Sequence, residues 1–242
     1  MQGPDGSTKK IVVRAIGPVL KDFGIADALE NPTLQIFDDK QKLVAANNDW
    51  QTTQIGGLIA GDQAAELRDS KLAPTKDLES AVIVNLPPGL YTAVVRGVDD
   101  SVGTGVVDAY DVSTSSPARL ANIATRGLIQ PGDKLMIAGF IVQGAPVTAV
   151  VLAAGPSLKP FGITNALEDT TLQLRDGNGA IVRENDDWKT DQRAELEKSG
   201  LAPKDDLEAA VLATLQPGAY TAQVRGKNEA TGVGVVQVYF VQ

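Results

Sequence analysis

The chain of 242 residues contains no cysteine and no histidine. Without cysteine there are no disulfides, no thiol chemistry and no zinc–thiolate sites, and the compartment is left open. Without histidine the usual general base near neutral pH is missing, as is the commonest transition-metal ligand. Ser–His–Asp and Cys–His catalysis and His-based metal centres are therefore excluded. Aromatic residues make up only 5%, two of them tryptophan. No apolar run approaches the roughly 18 residues of a membrane span, so no membrane insertion is expected. The opening MQGPDGSTKK lacks the apolar stretch of a signal peptide. Basic side chains number 22 against 30 acidic ones, a net charge of −8. No basic stretch could neutralise a run of phosphates, which argues against a nucleic-acid partner.

What is present is a folded composition, 43% apolar and 21% charged, long enough for two domains with separate cores. The chain is also a duplication. Gly17-Pro18, Phe23-Gly24, Thr33-Leu34-Gln35 and Asp49-Trp50 recur at a constant shift of 138 as Gly155-Pro156, Phe161-Gly162, Thr171-Leu172-Gln173 and Asp187-Trp188. Beyond the tryptophans the shift is 129, matching Leu72-Ala73-Pro74 to Leu201-Ala202-Pro203, Tyr91-Thr92-Ala93 to Tyr220-Thr221-Ala222, and Arg96-Gly97 to Arg225-Gly226. The first copy thus carries nine extra residues around Thr53 to Gly61, read as a surface-loop difference.

Local patterns are those of strands between turns. Ile11 to Ile16 and Val147 to Leu152 are β-branched runs ending at Gly-Pro. Thr171 to Arg175 alternates polar and apolar before the hairpin signal Asp176-Gly177-Asn178-Gly179. Ala209 to Leu215 leads through Gln216-Pro217-Gly218 into an alternating Ala219 to Val224. Gly105 to Val112 closes the first copy, and Val233 to Val241 the second. One short helix per copy is expected, in the second over Gln192 to Lys198, capped by Asp191 and stopped at Gly200. The fold class that follows is all-β: two tandem jelly-roll-like β-sandwiches with a short helix in each.

The sandwiches are expected over residues 1–112 and 147–242, with a linker and bridging β-hairpin over 113–146. The strand candidates of that hairpin are Arg119 to Thr125 and Lys134 to Val142, around Gln130-Pro131-Gly132-Asp133. Two sandwiches thus share one lead-in pair of strands, and the first has only ten polar residues ahead of its own first strand. Three arrangements satisfy that count. The hairpin serves the second sandwich alone and the insertion closes the first. Alternatively, strands are donated between subunits, through Leu120, Ile123, Leu135, Ile137, Phe140 and Ile141, so that copies of the chain form a filament or layer. In the third, Val235 to Val241 leaves its own sheet.

The runs ARLANIATRGLIQPGDKLMIAGFIV, AGPSLKPFGITNALEDTTLQLRDGNGAIVRENDDW, SGLAPKDDLEAAVLATLQPGAYTAQVRG and TGVGVVQVY resemble a tandem repeat of secreted bacterial surface proteins. The second half is also similar to the bacterial pre-peptidase C-terminal β-sandwich. This resemblance implies an extracellular or cell-surface address and an accessory, non-catalytic role in targeting, adhesion or surface association.

Two constellations remain. Asp38, Asn48, Asp49 and their counterparts Asp176, Asp186, Asp187 place carboxylates and amides in loops. Calcium takes six to eight such oxygens, and the same residues also cap turns without any ion. Asp77, Glu79, Asp205, Asp206 and Glu208 form another acidic group. Trp50 and Trp188 stack on a surface glycan if exposed, and plug a core if not. Acid pairs repeat in both halves, which disfavours a glycosidase, and Gly103-x-Gly105 and Gly232-x-Gly234 lack the helix a dinucleotide site requires. The expectation is no enzyme and no obligate cofactor. A calcium-assisted adhesion or carbohydrate-binding module is the alternative to assembly.

Overall fold

The computed structural model describes residues 1–113 and 116–241. The chain divides into two compact units, Met1–Leu120 and Ala121–Gln242. All strand pairings below are antiparallel.

In the first unit, β1 (Lys9–Ile16), β4 (Ser80–Leu86) and β6 (Val106–Asp111) form one sheet in the order β4-β1-β6. Strands β2 (Pro32–Asp38), β3 (Leu43–Asn47) and β5 (Tyr91–Gly97) form the other, ordered β3-β2-β5. The short helix α1 (Ala64–Asp69) lies between β3 and β4 in sequence. In the second unit β9 (Val147–Ala154), β10 (Thr170–Asp176), β11 (Ile181–Asn185), helix α2 (Arg193–Ser199), β12 (Ala209–Leu215), β13 (Gly218–Gly226) and β14 (Gly232–Val241) repeat that series. Two strands precede them, β7 (Asn122–Ile129) and β8 (Met136–Val142), and the sheets grow to four strands each: β12-β9-β14-β7 and β11-β10-β13-β8.

The lead-in pair is therefore not a hairpin. Strand β7 pairs with β14, and β8 pairs with β13 in the opposite sheet. They face each other across the sandwich and close one side of it. The pairing also keeps β14 within its own sheet, between β9 and β7, so Val235 to Val241 does not leave it.

The central strands are apolar on both faces, and the packing explains why. Ile11, Val13 and Ala15 of β1 face the interior with Leu34, Ile36, Val82 and Val84. Val12 faces outward, yet is buried beneath Trp50 and Leu67 of α1. Val150, Trp188 and Leu196 repeat this in the second unit. The Gly-Pro pairs mark a close approach: a Cβ on Gly17 would lie 2.1 Å from the carbonyl oxygen of Leu29, and one on Gly155 2.3 Å from that of Leu167. Helix α2 starts differently from expectation. Gln192 occupies its N-cap in the left-handed region, while the Asp191 carboxylate pairs with Arg183 at 2.8 Å. Gly200 terminates it at φ 73°, as expected.

The nine-residue insertion packs on β3. Leu58 donates its N–H to the Val44 carbonyl, and Ile59 enters the core. Val44 is 7% exposed as a result, against 42% for its counterpart Val182. Strand β3 is the far edge of its sheet from β5, so the insertion does not close the side that β7 and β8 close in the second unit.

Candidate functional site

The open side of the first unit is bounded by β5 and β6, each paired on one edge only among the described residues. Val98 donates to the Asn31 carbonyl and Val112 to that of Lys10. By the alternation of antiparallel ladders, Thr92, Val94 and Arg96 bond inward to β2, and Val106, Asp108 and Tyr110 inward to β1. The N–H and C=O groups of Tyr91, Ala93, Val95, Val107, Ala109 and Asp111 point away from the sheets. In the second unit the counterparts Tyr220, Ala222 and Val224 pair with Phe140, Ala138 and Met136, and Val236 and Val238 pair with Thr125 and Ile123.

The interior is uncovered at the same place. Val107 is 40% exposed where Val236 is 0%. Ala93 is exposed and Val95 half-buried, where Ala222 and Val224 are fully buried. Burying one valine is worth roughly 1.5–3 kcal/mol, so the open side leaves several kcal/mol of packing unused. One contact does reach this edge. Met1 donates its amine to the Gly89 carbonyl at 2.8 Å and accepts the Gly89 N–H at 3.1 Å. Val142 holds the same place opposite Gly218. Burial lowers the Met1 amine below its ordinary pKa.

The edge carries charge as well. Arg14 forks onto Asp108, Nε to Oδ1 at 2.9 Å and Nη2 to Oδ2 at 2.6 Å, and stacks over Tyr110. The Asp108 hydrogen bond raises the guanidinium pKa.

Five of the six residues singled out for assembly lie in or beside β7 and β8 of the second unit, and Leu120 is the last residue of the first. Phe140 faces inward, with its ring 5.7 Å from Tyr220 and 6.1 Å from Phe240. Ile123 also faces inward, opposite Val238, but is exposed near the strand end. Ile137 and Ile141 point to the outer face, 53% and 65% exposed, Leu120 is exposed, and Leu135 is half-buried. The residues that seal this unit were not singled out: Ile129, Met136 and Val142. Strand alternation counted from Phe140 leads to Met136 and Val142.

The acidic loops separate into two kinds. Asp38 and Asp176 are turn caps: Asp38 Oδ1 accepts from the N–H groups of Lys40 and Lys42, and Asp176 Oδ1 from Asn178 and Ala180, each at 2.9 Å. Asp186 and Asp187 come together with Asp169, and the first copy has Asn48, Asp49 and Asn31 at the corresponding positions. The Oδ1 atoms of all six are buried without a hydrogen-bond partner. The ligand atoms of Asp169, Asp186 and Asp187 lie within 4.8 Å of one another, and Lys227 reaches all three, at 3.5, 2.8 and 3.8 Å. Burial raises the Asp169 pKa, against the pull of Lys227. The hydrogen bond that Lys227 donates to Asp186 raises the ammonium pKa. The first unit has valine, Val98, in place of the lysine, and asparagine in place of two of the three aspartates. The loss of the ammonium thus goes with the loss of two of the three carboxylates, which become neutral amides.

Other conspicuous residues are structural. Glu208 is buried and accepts from the N–H groups of Gly155 and Ser157 at 2.9 and 3.0 Å. Glu79 accepts from Val19 in the first unit. Both tryptophans are buried, with Arg68 lying over the Trp50 ring at 5.0 Å and Lys189 over Trp188 at 5.4 Å. Neither presents an open ring face to a sugar.

No family model matches the chain, and no curated protein matches it. No helix among the described residues is long and apolar enough to cross a membrane. Among solved structures, the chain is similar to the pre-peptidase C-terminal domain of a collagenase from Bacillus anthracis. That match has 13% identity and a TM-score of 0.32, covering 49% of this chain and 89% of that one. The chain is also similar to the major capsid protein P2 of bacteriophage PM2, at 10% identity and a TM-score of 0.29, over 99% of this chain and 90% of that one.

Proposed function

We propose that the chain is a non-catalytic structural module of an extracellular or cell-surface assembly, joined to its neighbours by strand complementation at the open side of its first unit. One observation carries this reading: among the described residues the first unit has, on neither sheet, the outer strand that its own duplicate possesses. The bacterial surface-protein resemblance of the repeat supports the location.

Copies of the chain are the simplest neighbours. Each has one open side. A two-fold axis normal to the sheets would run β6 antiparallel to its partner's β6 and β5 antiparallel to its partner's β5, closing both sides at once. Such a pair is an end point. A filament would need β7 and β8 passed from copy to copy, and each donation opens a second unit for every first unit it closes. Strand exchange alone gains no net pairing, so the geometry favours a closed pair.

Sedimentation across a wide concentration range tests this. The expected result is a monomer–dimer equilibrium that Val107→Asp shifts to monomer. A strict monomer at millimolar concentration, for the parent chain, would remove self-association; long ordered polymers in negative stain would replace the closed pair by the filament.

A further inference from the structure

A two-fold pair would satisfy the edges of the open side with a second β5 and β6, neither of which carries the Ile129, Met136 and Phe140 that cover the second unit. The seats on the open side match the features that hold β7 and β8 in the second unit, position by position. In the second unit Ile129 leans over Gly234, so closely that a Cβ there would meet the Ile129 side chain at 2.6 Å. The corresponding Gly105 is also glycine, and is exposed, with nothing nearer to a Cβ than the Ile16 carbonyl oxygen at 3.4 Å. Phe140 stacks on Tyr220, whose hydroxyl donates to the Gln216 carbonyl at 2.9 Å. Tyr91 is held in the same way, its hydroxyl donating to the Pro87 carbonyl at 3.1 Å, and it is half-buried where Tyr220 is buried. The turn between β7 and β8 is anchored where Gly132 donates to Glu229 at 2.9 Å. The first unit has an acid at that position too, the exposed Asp100.

Charge points the same way. The segment 119–142 carries Arg119, Arg126 and Lys134 against Asp133 alone, while residues 1–118 hold ten basic and sixteen acidic side chains. A basic strand pair meets an acidic receiver.

We propose that the open side of the first unit is a receptor for a two-strand segment of the β7–β8 type, presented by another polypeptide, and that this ligand is preferred over a second copy. The inference rests on the open side being a receiving surface, as proposed above. The first ligand strand lies antiparallel to β6, with its Ile129-type residue opposite Gly103 and its side chain over Gly105. The second lies antiparallel to β5, with aromatic, small and long apolar residues opposite Tyr91, Ala93 and Val95. The turn between them reaches Asp100, and the second strand ends at the place Met1 holds.

The test uses the full chain and a synthetic peptide of residues 119–142. Calorimetry is expected to give one peptide per chain. Amide exchange is expected to slow at Tyr91, Ala93, Val95, Val107, Ala109 and Asp111, and excess peptide to dissolve any self-paired dimer. Gly105→Val fills the hollow with its Cβ at ordinary contact distance from Ile16 and Leu29, and should weaken peptide binding at least about tenfold, equivalent to about 1.4 kcal/mol, with little change in melting temperature. A peptide carrying Phe140→Asp should weaken it similarly. A second arm joins residues 119–141 directly ahead of Met1, which supplies the same strands covalently and should protect the same six amides. Fast exchange at those amides in the joined chain overturns the proposal, whatever the free peptide does. So does binding that Gly105→Val leaves intact, or protection that appears only in the second unit. A dimer that persists in excess peptide makes the second copy the preferred occupant, overturning this proposal while leaving self-association in place.

Discussion

The ammonium of Lys9, on the inward face of β1, pairs with the carboxylate of Asp111 at 2.7 Å across the end of the open side. At the corresponding places the second unit has Val147 and Phe240, and Phe240 meets Phe140 of the covering strand. The uncovered sandwich therefore has an ion pair where the covered one has apolar contact. Charge turned into a sheet is a known brake on edge-to-edge association, and here it sits beside the unpaired strands.

That relationship predicts how association responds to charge. The double variant Lys9→Val, Asp111→Phe should associate more tightly than the parent chain, by about tenfold or more, since it turns an ion pair into apolar area that only a partner can cover. Sedimentation equilibrium measures it. An unchanged or weaker association would mean that the ion pair does not restrain the open side.

The Asp169, Asp186, Asp187 cluster predicts a pH-dependent loss of stability on removing Lys227. The Asp169 pKa is raised in the fold, so its cost is absent at pH below the ordinary carboxylate range and present in full above its folded pKa. Lys227 has a raised pKa, so its stabilising contribution is present at neutral pH and lost only as pH rises through its folded value. Lys227→Met should therefore lower the melting temperature at pH 7 and change it little near pH 3. Calcium should then raise the melting temperature of the variant at pH 7 and leave that of the parent's second unit nearly unchanged, because an ammonium already occupies the cluster. Equal destabilisation at both pH values would contradict this.

The tryptophans differ in one bond. Trp188 Nε1 donates to the Asp205 carbonyl at 3.1 Å, whereas Trp50 Nε1 is buried without a partner. Replacement by phenylalanine should cost the second unit about 1 kcal/mol more than the first, the value of one hydrogen bond. Chemical denaturation of the two single variants gives the comparison. Replacement by alanine should cost about 3–5 kcal/mol in either unit, as expected of core plugs.

Glu208 makes a third structural prediction. Its carboxyl satisfies the N–H groups of Gly155 and Ser157, one of them fully buried. Glu208→Ala should destabilise the second unit by about 2–4 kcal/mol through the stranded amides, read as a lower denaturation midpoint. A change below half a kcal/mol would mean that water replaces the carboxyl.

Much of this fold was legible in the sequence because duplication provides an internal comparison. Alternation and Gly-Pro boundaries located β1, β9, β10, β12, β13 and β14 to within a few residues. The mismatch between two sandwiches and one lead-in pair was legible by counting. What counting could not give was the sheet each lead-in strand joins. A tight polar turn reads as a hairpin, and only the long-range pairings to β13 and β14 separate the two strands. The inward face of β8 was missed for a related reason: Ile137 and Ile141 are as apolar as Met136 and Val142, so hydrophobicity alone does not fix the phase. In the acidic loop of the second unit, Asp169 lies 17 residues before its neighbour Asp186, and only folding joins them. The Asp-to-Asn changes that accompany Lys227 and Val98 were readable, but only once the cluster was known.

Residue-resolved amide exchange on the dilute monomer puts the central claim to the most direct test. Tyr91, Ala93, Val95, Val107 and Ala109 should exchange rapidly, while Tyr220, Ala222, Val224, Val236 and Val238 are strongly protected. Association through the open side should then slow the first group towards the second. Equal, strong protection of both groups in the monomer would contradict the account, because the first sandwich would already be closed.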